Sequence, residues 1–140
     1  AANGGNGAGQ RVTASNMTIA GTLHADEHGF GASAGPGAGT DSATAGGAAH
    51  GGIGGDSSAE VAGGDVYGAI TNPTSLGSGG GDDTNDSQAG GAGGGAITLV
   101  ITNTLDIDGT VSAGGGVAAG GQAGGGAAGS RYWQYCRRRW

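Results

Sequence analysis

Two segments of this chain, 88 positions apart, carry one pattern. Residues 15–25 read Ser-Asn-Met-Thr-Ile-Ala-Gly-Thr-Leu-His-Ala, and residues 103–113 read Asn-Thr-Leu-Asp-Ile-Asp-Gly-Thr-Val-Ser-Ala. Ile19/Ile107, Gly21/Gly109, Thr22/Thr110 and Ala25/Ala113 are identical, while Met17/Leu105 and Leu23/Val111 are conservative partners. A repeat at fixed spacing predicts elements that stack on one another, each copy burying a face against the next.

The second copy belongs to a longer alternation. Ile97, Leu99, Ile101, Leu105, Ile107, Val111 and Ala113 occupy odd positions, and the even positions are Thr, Asp or Ser apart from Val100. Period two predicts a strand with one buried face. Seventeen straight residues would reach roughly 55 Å, far beyond an ordinary strand. The run must therefore bend, at Thr102-Asn103-Thr104 and at Asp108-Gly109. Asp-Gly is also a strong hairpin signal. A two-residue hairpin would put Val111 on the face opposite Leu105 and Ile107, so the parity favours a corner that keeps direction. In the first copy Met17, Ile19, Leu23 and Ala25 share a face. Stacked copies would set Met17 over Leu105 and Ile19 over Ile107.

Between the copies, large apolar residues are few. Glycine accounts for 38 of the 140 residues, and ordering glycine costs more backbone entropy than ordering any other residue. Such a chain either stays disordered or is held by dense backbone hydrogen bonding. The β-branched segments that interrupt the glycine runs favour order. Two prolines and no Gly-X-Y period exclude collagen. The segment 29–95, with Phe30, Ile53, Val61, Val66, Tyr67, Ile70 and Leu76 as its sparse anchors, admits two readings. It holds short strands, such as Ala62 to Ile70, or its glycine runs form polyproline-II-like helices joined by backbone hydrogen bonds.

The order Gly-Gly-Gly-Ala-Ile-Thr-Leu-Val-Ile, Leu-Asp-Ile-Asp-Gly-Thr-Val-Ser-Ala-Gly-Gly and Gly-Gly-Gly-Ala-Ala-Gly-Ser resembles the glycine-rich parallel β-helix repeats of large secreted and cell-surface proteins. The likeness runs over about residues 8–130 and rests on low-complexity motifs. It implies an extracellular structural or adhesive role and brings no catalytic residue with it. The expected fold is all-β: a single glycine-rich parallel β-solenoid over 1–130, with repeat cores at 11–28 and 96–113 and long polyglycine loops in 29–95. Its stacking core would be Met17, Ile19, Leu23, Ile97, Leu99, Ile101, Leu105, Ile107 and Val111.

Residues 131–140 depart from this style. They hold four of the five arginines and both tryptophans. One reading is a basic aromatic clamp for sugars, acidic chains or nucleic acid. The favoured one is a non-native or frame-shifted segment, because a one-base shift can restore Gly-Ile-Gly-Asn-Thr-Val-Ala-Asp-Gly, in keeping with the body.

Charge narrows the partners. The net charge is −6, and residues 1–130 set Arg11 alone against all eleven acids. That body does not suit nucleic acid or an anionic membrane surface, and no apolar run is long enough to insert in a bilayer. The single Cys136 has no internal disulfide partner. Asn16-Met17-Thr18 and Asn85-Asp86-Ser87 are glycosylation sequons, Asn85 the better placed in its polar loop.

Reactive constellations are weak. Asp82, Asp83 and Asp86 offer oxygen ligands for calcium without an EF-hand register. Asp56 and Asp65 follow glycines at the nine-residue spacing of calcium-binding β-rolls, but Ser58 stands where an apolar residue belongs. His24 and His28, on one extended strand, would lie about 13 Å apart, too far for one ion. No nucleophile–base set, Schiff-base lysine or phosphate loop is present. The expectation is a non-enzyme without cofactor, calcium being the one candidate ligand. The main reading is a structural subunit of an extracellular fibre, sheath or surface layer that polymerises head to tail by stacking solenoid ends. The alternative is a receptor- or glycan-binding adhesin presenting Leu76–Gln88 as a loop, and ice binding by outward threonines ranks last.

Overall fold

The computed structural model describes residues 9–69, 71 and 73–135. The elements in chain order are β1 (Gln10–Ile19), β2 (Thr22–His24), β3 (Ile97–Ile107), β4 (Thr110–Ser112) and β5 (Arg131–Tyr135). They form a three-stranded sheet in the order β1-β3-β5 and a two-stranded sheet β2-β4, and every pair is parallel.

The repeats lie side by side in the register their sequences share. Met17 pairs with Leu105 and Ile19 with Ile107 in the first sheet, and Leu23 pairs with Val111 in the second. The ladder slips between Ala14/Ile101 and Asn16/Thr104, so β3 carries one extra residue at Thr102-Asn103. Such a bulge bends its strand, and the Asn103 amide spans it to Asn16 Oδ1 at 2.6 Å. At Asp108-Gly109 the chain turns a corner without reversing. The Asp108 and Gly109 amides both donate to the Ile19 carbonyl, and Thr110 N–H donates to Gly21 O. A Cβ at Gly109 would collide with the Gly21 backbone, whereas Gly21 has open space around it. The repeated glycine is therefore required sterically in only one copy.

Side-chain burial gathers residues from β1, from β3 and from the chain just past β2 and β4. Ile19, Ala25, Ile97, Leu99, Ile101 and Ala113 form the buried cluster, with Ala14, Met17, Leu23, Leu105 and Val111 packed against it. Ile107 departs from the expected core: it is 37% exposed, although its partner Ile19 is buried.

The β-solenoid expected from the sequence is not what the chain forms. Two small parallel sheets, of three and two strands, neither close nor continue as coils. The segments 29–69 and 113–130 contain no strand, which also corrects the reading of a strand near Ala62; Ile70 lies outside the described residues. A solenoid needs a strand from every coil, and here only β1-β2 and β3-β4 turn the corner.

What fills the rest of the molecule is a backbone bundle with a three-residue period. Gly77 and Gly80 N–H donate to the carbonyls of Gly94 and Gly91; Gly91 and Gly94 donate to Gly124 and Ala127; Gly124 and Ala127 donate back to Gly81 and Ser78. Three segments thus close a triangle of hydrogen bonds. Phe30 and Ser33 add a fourth segment through Gly77 and Gly80 O, and Gly126 and Gly129 add a fifth through Gly116 and Ala113 O. A strand directs its amides alternately to two neighbours. A spacing of three is the repeat of a polyproline-II helix, which makes no internal hydrogen bonds and so offers every group to a neighbour. The approach is possible only without side chains. A Cβ at Gly77, Gly80, Gly90, Gly91, Gly93, Gly94, Gly126 or Gly129 would overlap a neighbouring backbone carbonyl. Gly77–Gly81 and Gly93–Ile97 are accordingly buried throughout.

Candidate functional site

The acidic loop folds around its own carboxylates. Asp83 is 2% exposed, and its Oδ1 accepts N–H bonds from Asn85 and Asp86, at 2.9 and 3.3 Å, inside the turn Thr84–Ser87. Asp82 Oδ1 accepts from Gly90 N–H, while Asp41 Oδ1 receives Asp82 N–H and the Ser33 hydroxyl. Asp41, Asp82, Asp83, Thr84, Ser87 and Gln88 line an open cleft of about 390 Å³. Asp86 is exposed on the turn. Asp56 and Asp65 are exposed and lie elsewhere, and Asp56 Oδ1 accepts Gly63 N–H. Among the described residues no three His, Cys, Asp or Glu side chains converge as a metal centre requires.

His24 and His28 are closer than an extended strand allows, with ring centroids 6.2 Å apart edge to face. β2 ends at His24, and Glu27 takes a positive φ of 59°, which turns the chain back. Between them in sequence, Asp26 receives Gly114 N–H at 2.5 Å and the Ser112 hydroxyl at 2.6 Å. The Ser112 bond, the Gly114 amide and the nearby His24 and Arg131 hold its carboxyl below the ordinary aspartate range. This carboxylate staples the turn after β2 to the chain leaving β4.

A polar cluster that the sequence did not single out ties the bundle to the sheet. Ser78, fully buried, accepts Gly37 N–H at 3.0 Å and donates to the Tyr67 hydroxyl at 2.8 Å; that hydroxyl in turn donates to Leu76 O. Burial pushes the Tyr67 phenol up, the Ser78 bond opposing. His50 packs on the Tyr67 ring at 5.0 Å. Its Nδ1 lies 2.8 Å from Ala128 O and its Nε2 3.4 Å from Ser130 Oγ. A carbonyl only accepts, so Nδ1 carries the proton. Ser130, 3% exposed, donates to Ser75 O. A serine beside a histidine suggests a nucleophile and base. Here the hydroxyl proton is spent on a carbonyl and the oxygen is buried, so the pair is structural.

The sequon residues sit differently. Asn85 is exposed on its turn, whereas Asn16 lies within β1 and accepts the Asn103 amide. Of the loop Leu76–Gln88, Gly77–Gly81 is interior and only Thr84–Ser87 is fully exposed.

The feature with the strongest interaction chemistry is the sheet boundary. β1 and β5 are its edge strands, each with one neighbour, and Val12 on β1 and Trp133 on β5 are 38% and 45% exposed. Sequence parity could not have flagged Val12: Val12 and Ala14 fall on even positions and Met17 and Ile19 on odd ones, because the register shifts between Ala14 and Asn16. Trp133 was set aside with its segment, although residues 131–135 occupy the third strand of the sheet. No family model matches this chain, and neither curated proteins nor solved structures give a match.

Proposed function

We propose that the protein is a structural subunit of an extracellular fibre, sheath or surface layer that associates with copies of itself. One observation carries this reading. Among the described residues, the β1-β3-β5 sheet ends in two edges that pair with no further strand, of the same polarity and pointing in opposite directions. An edge strand is a template for further pairing. Because the two edges differ, one copy's β1 can meet another's β5, and a heterologous contact of that kind propagates unless its rotation closes a ring. Growth uses sheet edges and not the solenoid ends expected from the sequence. The glycine bundle behind the sheet supplies a stiff body, since its contacts are backbone hydrogen bonds with no side-chain rotamers to order.

Cryo-electron microscopy and light scattering of purified protein test this directly. Filaments or sheets that lengthen with concentration are expected. A monodisperse monomer that binds a glycan array would instead make the chain an adhesin module.

A further inference from the structure

The hydrogen-bond pattern of the sheet determines how a second copy would join it. Gln10 N–H donates to Ala96 O at 2.8 Å, and Ile97 N–H donates to Ser130 O at 2.9 Å. Each strand therefore begins by giving its first amide to the residue preceding the next strand. Amides alternate in direction along a strand. Those of Arg11 and Thr13 consequently point away from β3 at one boundary, and those of Arg131 and Trp133 point away at the other.

We infer that β5 accepts β1 of a second copy in parallel, with Arg131 opposite Gln10 and Trp133 opposite Val12. This rests on the self-assembly proposed above and names its surface. In this register Arg131 N–H donates to Gly9 O of the incoming copy, repeating the bond made at the two existing junctions. The side chains agree. Val12, Leu99 and Trp133 form one row across the sheet, in which Leu99 is fully buried and the two outer members are exposed. Addition sets the Trp133 indole against Val12 and continues the row from copy to copy. On the other face Tyr132, opposite Thr98 and Arg11 in the row, meets the Arg11 guanidinium of the incoming strand, a cation–π geometry. The edges are chemically matched, and an isologous β1–β1 contact would lose both pairings.

Thr13→Pro tests the register. It removes an amide that points off the open edge and leaves the amides of Val12 and Ala14 bound to β3; proline is tolerated on such an edge. Thr13→Pro should abolish filaments while keeping the wild-type circular dichroism and melting temperature. Trp133→Ala should raise the critical concentration about tenfold, as loss of a buried interface aromatic does. If wild type forms filaments and both variants polymerise unchanged, this register is overturned while self-assembly stands. If wild type stays monomeric at every concentration, self-assembly itself fails. Should Thr13→Pro misfold, Trp133→Ala alone decides, since its side chain lies on the exposed edge.

Discussion

The sheet and the glycine bundle solve the same problem with opposite materials. In the sheet, Ile97, Leu99 and Ile101 bury side chains beside Ile19 and Ala113, and the hydrophobic effect opposes chain entropy. In the bundle, Gly77–Gly81 and Gly93–Gly95 are equally buried, yet they bring almost no apolar surface. Their order comes from amides bonded in three directions and from backbones close enough to exclude water. The bundle should thus be intolerant of any added atom, whereas the sheet should be intolerant chiefly of lost ones.

Adding one methyl group gives the sharpest contrast. At Gly93 a Cβ would overlap the Gly77 carbonyl and crowd Ser78 O. Backbone atoms of the buried 77–78 segment would have to move, so Gly93→Ala should cost more than about 3 kcal/mol, beyond ordinary overpacking. Gly121 has open space and no positive φ. Gly121→Ala should be neutral, or stabilising by about 0.4–1 kcal/mol through the unfolded chain. Urea unfolding of the two variants measures the difference, and equal midpoints would mean that backbone contact does not decide the cost of an added methyl group.

Removing atoms from the sheet comes next. Leu99→Ala empties a site with 0% exposure and should cost roughly 2–5 kcal/mol. Ile107→Ala, at a repeat position the parity treats as equivalent, should cost less than about 1 kcal/mol because that side chain is already 37% exposed. A matching loss at Ile107 would mean that its face is covered in solution, as assembly could bring about.

How much of this was legible follows from what side chains encode. The alternation from Ile97 to Ala113 marked the face that Ile97, Leu99, Ile101 and Ala113 bury, and the length of the run asked for bends at 102–104 and at Asp108-Gly109; the extra residue that makes the first of these a bulge leaves no mark in the odd-position pattern. Exposure at Ile107 was hidden because parity says which face a residue takes, not whether anything packs on it. The bundle was one of two readings and no more. Its period of three runs through amides, and where glycine fills every position of Gly93-Gly94-Gly95 the sequence cannot mark which glycine faces which carbonyl. The solenoid expectation failed for the same reason: glycine runs between strands look alike whether they form coils or lie across one another. His50, Tyr67 and Ser78 meet only through that lateral packing, so no local motif announced them.

The corner glycines refine the contrast within the sheet unit. Gly21 and Gly109 are identical in the repeat, yet only Gly109 faces backbone, that of Gly21 itself. Gly109→Ala should destabilise by about 1–3 kcal/mol, in the range of overpacking, and Gly21→Ala should change little. Thermal melts of both variants check this. Equal sensitivity would show that the approach of the two copies does not decide which glycine the corner needs.

The smallest effect concerns acid. Asp26 joins the turn after β2 to the residues leaving β4, and its bonds from Ser112 and Gly114 lower its pKa in the folded state. A depressed carboxylate pKa stabilises the fold above the unfolded value, where the group is charged in both states. That contribution declines as pH falls through the interval between the two values and is gone below the folded one. The melting temperature should therefore drop on acidification below the ordinary aspartate range, and Asp26→Asn should flatten that part of the profile. Asparagine keeps an acceptor for one of the two bonds, so the variant should fold at neutral pH with a modestly lower melting temperature. An unchanged acid limb in Asp26→Asn would mean that this staple does not set the acid sensitivity of the fold.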